Sequence, residues 1–124
     1  MKILVVDDYK PTRTIVARTL TEVFACPVVV AAGGEEALEI CRTGDIEILL
    51  TDFDMKRGMD GVTLASAVSS LANPPIVVLM TDSSWIDKRA AGPNIFAILK
   101  KPFPEGDLLG AIRQAAQVVH VALP

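Results

Sequence analysis

Apolar positions along the chain fall into five short, dense runs, separated by stretches in which they recur at helical spacing. Ile3–Val6 is a β-rich run that stops at Asp7-Asp8. Pro11 follows where a first helical turn tolerates proline. Val16, Leu20, Val23 and Phe24 then stand at i, i+4, i+7 and i+8, which is one face of a helix. Val28–Val30 reads as a second strand. Gly33-Gly34 breaks it, and Glu35-Glu36 suit the positive end of a helix dipole. That helix turns Ala37, Leu38, Ile40 and Cys41 inward and ends at Gly44. Ile46–Thr51 is the third strand, followed by a helix marked by Leu64, Val68 and Leu71 that stops before Asn73-Pro74-Pro75. Ile76–Met80 is the fourth strand, and Ser84–Ala91 a short helix closed by Gly92-Pro93. Ile95–Leu99 is the fifth, and a last helix faces the core with Leu108, Ile112, Ala115, Ala116 and Val119.

The order is β-α five times, and several strands are continuously apolar rather than alternating, as strands buried on both faces should be. Such units predict a doubly wound α/β domain, with a parallel sheet, right-handed crossovers and helices on both faces. No linker, repeat or low-complexity segment interrupts residues 1–124, so one domain is expected.

Composition narrows the function classes. The chain is 51% hydrophobic and 22% charged with a net charge of −3, which argues against disorder and shows no basic stripe for direct nucleic-acid binding. Cys26 and Cys41 form no CxxC or Cys/His cluster, so zinc is not indicated and both are expected as reduced core residues. The apolar runs are strand-length, too short for a secretory leader or a membrane insertion. A cytoplasmic location is the default expectation.

The candidate chemistry lies at the strand ends. In an open parallel sheet, ligands bind beyond the carboxyl ends of the strands, at the switch in strand order. Strand one delivers Asp7 and Asp8 there, strand three Asp52, strand four Thr81 and strand five Lys101. In a 2-1-3-4-5 order strands one and three are neighbours, so three carboxylates crowd one crevice. Two carboxylates about 5 Å apart repel by about 3 kcal/mol at an effective dielectric of ~20. Either proton uptake or a divalent cation offsets that. Carboxylate oxygens without His or Cys favour Mg²⁺, which accepts phosphate as a co-ligand. An aspartate can then attack a phosphoryl donor, with Thr81 and Lys101 placed to receive phosphoryl oxygens.

"ILVVDDYKPTRTIVARTL", "ILLTDFDM", "MDG", "PPIVVLMTD" and "LKKPF" together resemble the receiver domain of bacterial two-component response regulators, over essentially the whole chain. The resemblance implies a flavodoxin-like (βα)5 fold with strand order 2-1-3-4-5. It implies that Asp52 is the phosphoacceptor, that Asp7 and Asp8 hold Mg²⁺ with Asp8 the direct ligand, and that the backbone carbonyl of Asp54 completes the metal site. Thr81 matches the hydroxyl that turns to the phosphoryl group, and Lys101, rather than Lys100, the lysine before a proline whose peptide bond is often cis. The implied partners are a sensor histidine kinase or phosphotransfer protein and a downstream protein target met through helix four, strand five and helix five. With no output domain after the fifth helix, the expectation is a stand-alone signalling switch, not an enzyme beyond its own phosphoryl uptake and hydrolysis.

Three positions depart from the family pattern. The loop after Asp52 lacks the usual proline and carries one extra residue, in Lys56-Arg57-Gly58-Met59. Asp82 stands where a small residue is usual. Ile98 stands where an aromatic ring is often found, with Phe96 two residues off. These keep open a degenerate receiver that binds partners without phosphorylation. "DFDMK" also resembles the signature of small aspartate-nucleophile phosphatases, in which Asp54 would be a general acid. Asp60 reads as a helix N-cap, Lys56-Arg57 as solvated charge, Trp85 as a partly buried anchor, and His120 as a terminal helix residue without a phosphotransfer role.

Overall fold

A computed structural model describes residues 1–56, 58–84 and 86–119. The expectations placed on Arg57, Trp85 and His120 lie outside the described residues. Strands β1 (Ile3–Val6), β2 (Val28–Ala31), β3 (Ile48–Asp52), β4 (Ile76–Thr81) and β5 (Ala97–Lys100) alternate with helices α1 (Lys10–Phe24), α2 (Gly34–Thr43), α3 (Gly61–Val68), α4 (Lys88–Ala91) and α5 (Glu105–Val118). All pairings are parallel and the order is β2-β1-β3-β4-β5.

Burial follows place in the sheet: β2 (Val28–Ala31) is as apolar as β1 but lies at an edge. Every residue of β1 and β3 is buried, whereas the edge strands β2 and β5 keep partly exposed positions. Alternate residues feed two separate cores, as the two-residue period of a strand requires. Leu4, Val6, Leu49, Val77 and Leu79 meet α2 and α3 through Ala37, Cys41, Leu64 and Val68. Ile3, Val5, Ile48, Leu50, Val78 and Met80 meet α1 and α5 through Val16, Leu20, Phe24, Leu108 and Ile112.

Several boundaries shift from their expected places. The third strand starts at Ile48, not Ile46, because the ladder begins where Ile48 finds Ile3, and Asp45 turns the chain with φ +53°. It runs on to Asp52, which pairs with Met80. The fifth strand is Ala97–Lys100, since the β4 ladder first meets it at Val78–Ala97. The fourth helix is one turn, capped by Asp87, whose Oδ1 accepts from Ala90 N at 2.9 Å. Ser84 and Ile86, expected within it, give their carbonyls to a lysine instead, as does Ser83 just before them. Asp60 caps α3 as expected, accepting from Thr63 N at 2.7 Å. Both cysteines are free; Cys41 is buried, with its thiol pushed up to about 11 by that burial, while Cys26 is only half-buried. No helix among the described residues is long and apolar enough to cross a membrane.

Candidate functional site

Strand register assembles the site. Val6 pairs with Thr51, so the next residues, Asp7 and Asp52, leave neighbouring strands side by side. Thr81 pairs with Lys100, which carries Lys101 just past the end of β5, where its backbone N donates to Thr81 O at 2.7 Å. Parity then sorts the side chains. Asp7 and Asp52 continue the Ile3–Val5 and Ile48–Leu50 face, and Lys101 continues that of Leu99, so all three converge on the α1/α5 side.

There the Lys101 ammonium lies 3.1 Å from Asp52 Oδ1 and 3.2 Å from Asp7 Oδ2. Asp7 is fully buried. Its Oδ1 accepts from Tyr9 N at 2.9 Å, and Arg13 Nη1 donates to its backbone carbonyl at 2.7 Å. Asp8 is exposed at the mouth. One oxygen from each of Asp7, Asp8 and Asp52 lies within 4.8 Å of the others. The next residues in the chain support this geometry. Gly61 N donates to Phe53 O at 2.9 Å, and a Cβ on Gly61 would stand 2.4 Å from Asp52 O and 2.7 Å from Leu79. Only glycine lets α3 start this close under the aspartate.

Asp52 is buried, and that burial pushes its carboxyl up to about 6 from an ordinary 3.8; the Lys101 hydrogen bond and charge pull it down, and Asp7 and Asp8 push it further up. Burial pulls the Lys101 ammonium down, but the hydrogen bond and charge of Asp52, with Asp7 behind them, outweigh it and leave its pKa raised. The site therefore holds excess negative charge that one lysine only partly balances.

Thr81 is buried at the end of β4, and its Oγ1 accepts from Ser83 N at 3.0 Å. The Lys101–Pro102 bond is cis. Asp54 is exposed, and its Oδ1 accepts from Lys56 N at 3.1 Å in an Asx turn. The longer loop beyond it is accommodated by left-handed Lys56 (φ +54°) and Gly58 (φ +69°). It is tied to α2 where Met59 N donates to Glu35 Oε1 at 3.2 Å. Asp82 is exposed and lines a cleft of about 460 Å³ with Lys101, Thr12 and Phe103. Ile98 is half-buried against the core that contains Ile86, Ala91 and Ile95.

The structure brings Asp7, Asp8, Asp52 and Lys101 into one crevice, places Thr81 at the adjoining strand end, and leaves the side chain of Asp54 turned to its own loop. Sequence reasoning did not find the Arg13 and Tyr9 contacts to Asp7, the Glu35 anchor, or the close approach of Gly61. The Asp60-Gly61 pair carries a signal for the last, which the N-cap role of Asp60 does not exhaust.

A doubly wound α/β domain with a buried acidic crevice at the switch between β1 and β3 defines the class of protein. Residues 3–113 match the response regulator receiver domain, and the chain belongs to that family. It is 31% identical over 119 residues to protein PilG of Pseudomonas aeruginosa, covering 91% of this chain and 85% of that one. It is 31% identical over 109 residues to the chemotaxis protein CheY of the same organism, covering 83% and 86%. The N-terminal domain of a response regulator/sensory box/GGDEF three-domain protein from Carboxydothermus hydrogenoformans superposes with a TM-score of 0.84 at 25% identity, over 97% of both chains. The fold is thus the flavodoxin-like one of receiver domains.

Proposed function

We propose that this receiver domain is a phosphorylatable switch whose acceptor is Asp52. The observation that carries the reading is the Lys101 ammonium shared between Asp52 and Asp7 at 3.1 and 3.2 Å. An ammonium held against the nucleophile is already in place for the phosphoryl oxygens that arrive there. A carboxylate oxygen of Asp52 attacks phosphorus of a phosphohistidine donor; a P–O bond forms, the P–N bond breaks, and the imidazole leaves with its electron pair. Thr81 then donates its hydroxyl proton to a phosphoryl oxygen, and Lys101 stabilises the charge.

The donor set fits Mg²⁺. Asp7, Asp8 and Asp52 offer hard oxygens within 4.8 Å of one another and, among the described residues, no His or Cys donor beside them, the ligand type that Mg²⁺ takes. Asp8 at the mouth and Asp52 would hold the ion directly, with the Asp54 backbone carbonyl completing the set, and the ion would supply positive charge against the acceptor and the incoming phosphoryl group.

The donor is a sensor histidine kinase or phosphotransfer protein, and the output is a contact with another protein through α4, β5 and α5, biased by the charge gained at Asp52. The domain acts on its own phosphoryl group; the exposed Asp54 side chain, whose Oδ1 accepts from Lys56 N in an Asx turn, belongs to its own loop in this reading. A cytoplasmic site of action follows from a kinase partner of this kind.

Intact mass after incubation with Mg²⁺ and a small phosphodonor tests the reading. One phosphoryl group should be gained by the wild type and none by Asp52→Asn. No gain in the wild type, or an equal gain in the variant, overturns it.

A further inference from the structure

Lys100 neighbours Lys101 but serves the other side of the sheet. It continues the face of Ile98, the α3/α4 side, and pairs across the ladder with Thr81. Its ammonium donates to Ser83 O at 3.2 Å, to Ser84 O at 3.2 Å and to Ile86 O. All three donors of the ammonium are thus spent on carbonyls of the β4–α4 loop. That loop has no helix of its own to order it, since α4 begins only at Lys88. One of the clamped residues, Ser83, donates its N–H to Thr81 Oγ1 at 3.0 Å. The hydroxyl accepts that bond and keeps its own proton, for which no acceptor stands among the described residues.

We infer that Lys100 is a positioning residue for phosphoryl binding: by holding the Ser83, Ser84 and Ile86 carbonyls it fixes the Ser83 N–H against Thr81 Oγ1 and leaves the threonine proton free for a phosphoryl oxygen. This rests on the reading of Asp52 as phosphoacceptor. The accepted bond also polarises the hydroxyl and makes it a better donor. The link runs both ways. A phosphoryl group that draws on Thr81 pulls on Ser83, and through Lys100 on the segment that leads into α4. In a domain with Ile98 in place of a mobile ring, this gives a connection from the acceptor to the outer face.

Beryllofluoride with Mg²⁺ serves as the phosphoryl probe, and its affinity is measured in a double-mutant cycle of Lys100→Met and Thr81→Ala. Lys100→Met should weaken beryllofluoride binding roughly five- to tenfold, as expected for one oriented hydrogen bond, with Mg²⁺ affinity unchanged. In the Thr81→Ala background the same substitution should add less than twofold. The Ser83 amide signal should shift in Lys100→Met before any ligand is added. A purely structural lysine would lower thermal stability and leave the cycle additive. Unchanged beryllofluoride affinity in Lys100→Met, or a full effect that persists without Thr81, overturns the proposal. Wild type that binds no beryllofluoride overturns the reading of Asp52 and this proposal with it. Lys100→Gln, measured the same way, stands in if the Met variant does not fold.

Discussion

Asp52→Asn should make the free domain more stable, and only above the acidic range. The perturbation removes a buried charge and keeps the shape. The Asp52 carboxyl is pushed up to about 6 from 3.8, by burial first and by Asp7 and Asp8 besides. The folded state therefore holds a proton on Asp52 between those values while the unfolded chain has lost it. By linkage, this group's contribution to stability falls as pH rises from about 4 to about 6 and is flat above. The interval, at ~1.4 kcal/mol for each tenfold change, comes to about 3 kcal/mol. That figure already includes the loss of the 3.1 Å contact to Lys101, whose pull on Asp52 is part of the net shift, while Lys101 keeps Asp7. The net gain expected is about 3 kcal/mol at pH 7.5 and close to nothing at pH 4. Urea unfolding of both proteins at the two pH values measures it. Saturating Mg²⁺ at pH 7.5 should shrink the difference, because the ion stabilises the wild type by mass action. A difference independent of pH between 4 and 7.5, or a less stable variant at pH 7.5, would refute the reasoning that the site stores excess negative charge.

Gly61→Ala places a methyl 2.4 Å from the Asp52 carbonyl oxygen; it should cost about 1–3 kcal/mol by overpacking and weaken beryllofluoride binding, whereas a variant as stable as wild type in urea would show that α3 can yield there. Asp82 is exposed and lines the cleft with Lys101, so Asp82→Ala should raise the rate of phosphoryl uptake from a small anionic donor by about two- to fivefold at low salt, an effect that salt screens; equal rates at low salt would remove Asp82 from the reaction.

Much of this protein is legible in one dimension because a strand has a period of two and a helix one of 3.6. Apolar runs at Ile3–Val6 and Ile46–Thr51 read as strands covered on both faces, and their alternation with helical stretches points to crossover helices and a parallel sheet. Such a sheet presents the residues that follow its strands at one end, so Asp7, Asp8, Asp52, Thr81 and Lys101 were bound to approach each other. The strict alternation of strand faces also separates Lys101 from Lys100 before any coordinates are known. The short α4 was not legible, because Ser83, Ser84 and Ile86 carry no local signal that their carbonyls will be taken by a residue some fifteen positions away. The same holds for Glu35 on Met59 N, a contact across 24 residues, and for the approach of Gly61 to the Asp52 carbonyl. Local pattern and periodicity specified the elements, their face and their order. Distances between side chains from different elements were decided only when the packed core set the register, since those contacts depend on ångström-scale placement that no stretch of sequence carries by itself.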